Sequence, residues 1–155
     1  MTELTVTMPT DREIVMTRSF AAPVQLVFDA FTQPSLLTRW YGARGWNLVS
    51  CSVDLREDGR YRFVSAGPHG ETMAQSGTYR AVDPCSRLVF TELFDDQSYE
   101  GESVITHLFT SDSDRTTVTT TVLYATAEGL ETVRGYPMAR GVTESYERLD
   151  VVLAG

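Results

Sequence analysis

The sequence predicts an α+β fold in which a strongly curved antiparallel sheet wraps around a long C-terminal helix. Three observations carry that expectation. Hydrophobic periodicity is two from Leu48 to Tyr124, with turn residues at roughly ten-residue intervals, as an antiparallel meander requires. Two short amphipathic segments precede this region, and the tail from Ala127 to Leu153 returns to a helical period. A length of 155 residues with 42% hydrophobic content suits one core, so a single domain is expected over 1–155, with its core at 13–153.

The first strand is read at Glu13 to Phe20, where Ile14, Met16 and Arg18 alternate with Val15, Thr17 and Ser19 up to Ala21-Ala22-Pro23. Pro23 suits a helix start, and Val24, Val27, Phe28 and Phe31 then share one helical face, so a short helix should end near Phe31. A second begins at Thr32-Gln33-Pro34, presents Leu36, Leu37, Trp40 and Tyr41, and stops at Gly42.

Six strands follow, near 49–55, 60–66, 72–82, 87–94, 103–111 and 115–124. The turns between them contain Asp58-Gly59, Gly67-Pro68-His69-Gly70, Asp83-Pro84 and Ser111-Asp112-Ser113-Asp114. The threonine run Thr116 to Thr121 belongs to the last strand, because β-branched side chains fit a pleated surface better than a helix. In the tail, Leu130, Val133, Met138, Val142, Ser145, Leu149 and Val152 form one stripe. Pro137 removes a backbone donor, so a kink or fresh helix start is expected near Tyr136-Pro137. The well-formed helix should cover 138–153, with Val142, Leu149 and Val152 buried.

A net charge of −8 and a pI near 4.7 oppose nonspecific attraction to nucleic acid or anionic lipid. No signal-peptide pattern and no run of about 18 apolar residues occurs, so a cytoplasmic protein that neither crosses nor binds a membrane is expected. Cys51 and Cys85 form no CxxC pair and have no nearby His at metal-ligand spacing, so free thiols are expected, with no metal and no cofactor.

The motifs within this order resemble the START-like, or SRPBCC, superfamily, and within it the bacterial proteins related to the heat-shock-protein-90 ATPase activator. The residues that carry the resemblance begin with Arg18-Ser19-Phe20-Ala21-Ala22-Pro23, Val27-Phe28-Asp29-Ala30-Phe31-Thr32, Pro34, Leu37 and Arg39-Trp40-Tyr41-Gly42. They continue with Gly59-Arg60-Tyr61-Arg62-Phe63, Gly77-Thr78-Tyr79-Arg80, Arg87-Leu88-Val89-Phe90-Thr91 and Gly141-Val142-Thr143-Glu144-Ser145-Tyr146-Glu147-Arg148-Leu149. The resemblance implies a helix-grip fold of the order β-α-α-β6-α, enclosing a cavity for a small apolar or aromatic molecule. The sequence departs from the family pattern at Glu92, a position often aromatic, and at His107, one often aliphatic, which argues against a purely apolar pocket.

Strand alternation points Tyr61 and Phe63, Tyr79, Leu88, Phe90 and Glu92, Ile105, His107 and Phe109, and Val118, Thr120 and Val122 toward the gripping helix. Met138, Val142, Ser145, Tyr146 and Leu149 form the helix side. A simple hairpin centred near Tyr99 sets Phe90 opposite His107 and Glu92 opposite Ile105, which makes Glu92 and His107 diagonal neighbours. A carboxylate orienting an imidazole in a cavity is a candidate acid/base or ligand-anchoring pair; the alternatives are a rim position in water or mutual satisfaction. Trp40, Tyr41 and Trp46 flank Gly42 and Gly45 as either a mobile lid at the cavity mouth or ordinary packing.

The candidate ligand-binding residues are therefore Trp40, Tyr61, Phe63, Tyr79, Phe90, Glu92, His107, Thr120, Met138, Val142 and Tyr146; no catalytic residue is assigned. The acidic stretch Glu92, Asp95, Asp96, Glu100 and Glu102 lacks calcium-loop spacing and reads as a solvated hairpin tip, and His69 reads as exposed. Three functions remain open. They are a small-molecule binding module, a cyclase, dehydratase or hydrolase using His107, and a protein-interaction domain like the chaperone activator; a protein partner or homodimer is compatible with each.

Overall fold

In the computed structural model, which describes residues 3–155, the chain opens with β1 (Thr5–Thr10) and β2 (Glu13–Phe20), then α1 (Val24–Thr32) and α2 (Pro34–Trp40). The meander follows as β3 (Asn47–Val53), β4 (Arg60–Ala66), β5 (Thr72–Asp83), β6 (Arg87–Phe94), β7 (Ser103–Asp112) and β8 (Arg115–Leu123). Two helices end the chain, α3 (Ala127–Arg134) and α4 (Met138–Ala154). Met1 and Thr2, the first positions of the expected 1–155 range, lie outside the described residues.

The strands form one curved, open antiparallel sheet in the order β1-β2-β8-β7-β6-β5-β4-β3, the helix-grip architecture. Strand β1 was not expected. Its segment carries only a short alternation, Leu4, Val6 and Met8 against Thr5 and Thr7, is interrupted by Pro9 and is exposed along most of its length. It pairs only with β2, at the sheet edge, where a proline costs no central ladder bond. Strand β3 begins two residues earlier than expected, and its pairing with β4 shifts register between Leu48 and Ser50.

Pro34 occupies the first turn of α2, where its missing N–H costs nothing. Thr126 caps α3 by accepting from the Gly129 N–H at 3.0 Å. The helical tail breaks at Gly135-Tyr136-Pro137, as the proline dictates, and α4 starts afresh at Met138.

Two apolar clusters hold the layers together. One joins α1, α2 and α4 to the sheet through Phe20, Phe31, Trp40, Tyr146 and Leu149, with Phe20 and Tyr146 edge to face at 5.1 Å. The other seats α3 against β2, β7 and β8 through Ile14, Met16, Ile105, Val122, Leu130 and Val133. Leu149 is fully buried, but Val142 and Val152 are only half-buried, contrary to expectation. Val142 packs against both clusters but keeps part of its surface on a cavity wall. Among the described residues no helix is long and apolar enough to cross a membrane.

Across the β6–β7 ladder, Leu88 lies opposite His107, Phe90 opposite Ile105 and Glu92 opposite Ser103. The expected hairpin is thus displaced by two residues, a shift that preserves every side chain's face while changing its neighbours. Gln97 shapes the longer connection, accepting from the Phe94 N–H and donating to the carbonyls of Tyr99 and Gly101.

Candidate functional site

Between the two clusters lies a cavity of about 740 Å³, walled by the concave face of the sheet, the ends of α1 and α2, the α3–α4 junction and the first turns of α4. All eleven candidate residues lie on its wall: Trp40, Tyr61, Phe63, Tyr79, Phe90, Glu92, His107, Thr120, Met138, Val142 and Tyr146. Most of the surface they present is aromatic or aliphatic, so the polar groups among them are few and distinct.

His107 forms one polar point. Its Nδ1 lies 2.8 Å from Thr120 Oγ1, and its ring sits among Phe31, Phe90 and Phe109 at centroid distances of 5.0, 5.4 and 6.2 Å. Burial pushes its pKa from 6.5 down to about 4, so the imidazole is neutral at neutral pH.

Glu92 forms the other. Its Oε2 accepts from Gln75 Nε2 at 2.7 Å, and the same amide donates to Tyr41 Oη at 2.9 Å. Burial raises the Glu92 pKa from 4.5 to about 7, so near neutrality its charge is poised between states. The surface that Glu92 and His107 leave open belongs to the cavity wall.

The two polar points do not meet. With the observed register, four ladder positions separate them, ~13 Å along the strand at about 3.3 Å per residue, and Phe90 and Ile105 intervene. The expected diagonal pair is therefore absent: Glu92 is held by Gln75, and His107 by Thr120.

Of the three aromatic residues around the end of α2, Trp40 is packed, as the ordinary-packing alternative expects, and Tyr41 and Trp46 are half-buried. Trp40 is buried and its Nε1 donates to the Ala30 carbonyl at 2.9 Å. The loop behind it is strapped to α4: Ser145 Oγ accepts from the Gly42 N–H, and Arg148 donates to the carbonyls of Gly42 and Trp46 and to Asn47 Oδ1. Gly42 takes a φ of +123°, a conformation L-residues rarely adopt, which turns the chain sharply after α2.

Sequence reasoning missed Gln75. A polar residue at an inward position of β5, two places before Gly77 and four before Tyr79, was the available signal. It also missed Tyr124, which stacks edge to face with Tyr99 at 5.8 Å on the wall beyond Glu92. The acidic tip divides as well: Asp95 pairs with Arg62 at 2.7 Å and Asp96, Glu100 and Glu102 are exposed, whereas Glu92 is interior. His69 is exposed and both cysteines are free thiols, as expected. Among the described residues no three His, Cys, Asp or Glu side chains gather in a way that could hold a metal ion.

Residues 21–154 match the family described as Activator of Hsp90 ATPase homolog 1-like protein. A protein of known structure from Rhodobacter sphaeroides is 32% identical, with a TM-score of 0.92 and 98% of each chain covered. Another from Mycobacterium smegmatis is 27% identical over 97% of this chain and 96% of its own, with a TM-score of 0.85. A third from Nitrosomonas europaea, at 23% identity, shares the fold with a TM-score of 0.84 over 95% of this chain and 97% of its own. No curated protein matches the chain at a significant level.

Proposed function

The chain belongs to the Activator of Hsp90 ATPase homolog 1-like family, and from that premise we propose that it binds a small hydrophobic molecule in its interior cavity. The observation that carries this reading is the cavity itself: about 740 Å³ between sheet and helix that side chains leave unfilled. Its size falls in the range of small-molecule sites, and its walls are mostly apolar with a few placed polar groups, the usual composition of such sites. An unfilled apolar void forfeits dispersion contacts that a ligand restores.

The family's name refers to activation of a chaperone ATPase; the unfilled interior favours ligand binding over a role confined to the outer surface. An acid/base enzyme built on a Glu92–His107 pair lacks the pair.

A neutral environment-sensitive dye such as Nile red tests the reading. It is expected to bind with micromolar affinity, roughly −8 kcal/mol, and to raise the melting temperature with its concentration. Val142→Trp, which projects bulk from α4 into the cavity, should weaken binding at least tenfold while leaving the protein folded. Equal affinity in the folded variant places the dye elsewhere and sinks the proposal.

A further inference from the structure

The charge on the cavity wall is one-sided. Its lining includes the carboxylates of Glu92 and Asp96 and, among the described residues, no arginine. The thirteen basic residues of the chain are all arginine, so no lysine ammonium is available anywhere in the sequence. Glu92 therefore lies inside an aromatic cavity with one neutral hydrogen-bond donor, Gln75, on its Oε2 and no countercharge.

We propose that the cavity selects ligands bearing a protonated amine, with the ammonium seated against Glu92 and the apolar body extending toward α4. The inference deepens the binding reading above and rests on it.

Two features support the choice of cation. A buried carboxylate without a cationic partner is costly, and a ligand ammonium supplies the missing countercharge together with donors for the oxygen that Gln75 leaves free. The surroundings are also rich in rings: Tyr41, Tyr61, Tyr99 and Tyr124 lie near enough that the Glu92 charge adds to desolvation in raising their hydroxyl pKa values. The negative faces of such rings attract a desolvated cation. Burial has already moved the Glu92 pKa to about 7, which records how poorly the protein alone compensates that charge. An anionic ligand meets the same carboxylate as repulsion, and His107, neutral at the other end of the cavity, offers it no charge.

Three probes of one shape separate the possibilities: 2-naphthylmethylamine, 2-naphthylmethanol and 2-naphthoate, titrated calorimetrically into the whole protein at pH 8. The amine is expected to bind at least tenfold more tightly than the alcohol, with the carboxylate weakest. Glu92→Gln, which keeps shape and hydrogen-bonding capacity, should erase the difference between amine and alcohol, while Glu100→Gln, exposed at the tip and off the cavity wall, should preserve it. The comparison of amine with alcohol in the unaltered protein decides the matter even if a variant fails to fold. An alcohol that binds as tightly as the amine, or a preference for the amine that survives Glu92→Gln, overturns the inference and leaves the cavity reading standing. Absence of binding by all three probes overturns the cavity reading, and this inference with it.

Discussion

Glu92 lies opposite Ser103 and His107 opposite Leu88 in the β6–β7 ladder, so the two titratable side chains occupy one face of the sheet without touching. Their pKa values are displaced in opposite directions by the same cause, burial, which favours the neutral form of each.

Their contributions to stability should therefore cancel over a shared range of pH. The Glu92 contribution is fully present below its ordinary pKa of 4.5 and is lost as pH rises to about 7. The His107 contribution is fully present above its ordinary pKa of 6.5 and is lost as pH falls to about 4. Between pH 4.5 and 6.5 the two slopes oppose, each spanning on the order of 3 kcal/mol. Relative to the parent, Glu92→Gln should make urea stability climb more steeply with pH in this range, and His107→Gln should make it decline. Variant profiles that parallel the parent would show that neither group is desolvated.

Tyr61 and Gly77 face each other across β4 and β5, and Tyr61 Oη passes over the glycine to donate to the Thr91 carbonyl at 2.6 Å. A methyl group at Gly77 would strike that carbonyl and come within 2.8 Å of the Tyr61 ring. Gly77→Ala should therefore cost about 1–3 kcal/mol as overpacking does, and Tyr61→Phe, which removes only the hydrogen bond, about 1 kcal/mol. Chemical denaturation of the two variants checks the order; an alanine tolerated better than the phenylalanine contradicts it.

Face was legible in the sequence and neighbourhood was not. Period-two alternation assigns Tyr61, Phe90, Glu92, His107 and Thr120 to the concave side whatever the hairpin register, because a shift of two leaves parity unchanged. Which residues meet depends on how the 95–102 connection closes, and Gln97 organises that closure through backbone bonds that no periodicity announces. Strand β1 escaped for another reason: it is a short edge strand whose inward face, Leu4 and Val6, is only partly buried, and Pro9 interrupts its brief alternation. Gln75 carried the inward parity, but its role appears only when Tyr41 and Glu92 are brought to either side of its amide.

Leu149 is wholly enclosed on α4, within the cluster that includes Phe20 and Trp40. Leu149→Ala should cost about 2–5 kcal/mol, as large-to-small core changes do. A loss below about 1 kcal/mol in denaturant melts would mean that the helix does not pack as described.

Arg148 fixes the cavity wall from outside. Its guanidinium donates to the Gly42 and Trp46 carbonyls at 3.0 and 2.7 Å and to Asn47 Oδ1 at 3.2 Å, binding both ends of the 42–47 loop to α4. Tyr41, Gly42, Ala43 and Trp46, within or beside that loop, line the cavity, so its opening would widen the access of solvent to the interior. Arg148→Met keeps much of the apolar stem and removes all three bonds, each worth about 1.5–3 kcal/mol when the donor is charged and the acceptor is left unpaired. Much of that loss should appear locally, because carbonyls in a surface loop can turn to water when the loop opens. Amide exchange at residues 43–47 should accelerate at least tenfold while exchange in β6 and β7 changes far less, and a bound dye should dissociate faster. If the loop amides kept their parent rates, the strap would be dispensable, and closure of the wall would have to come from the packing of Trp40 and Trp46 alone.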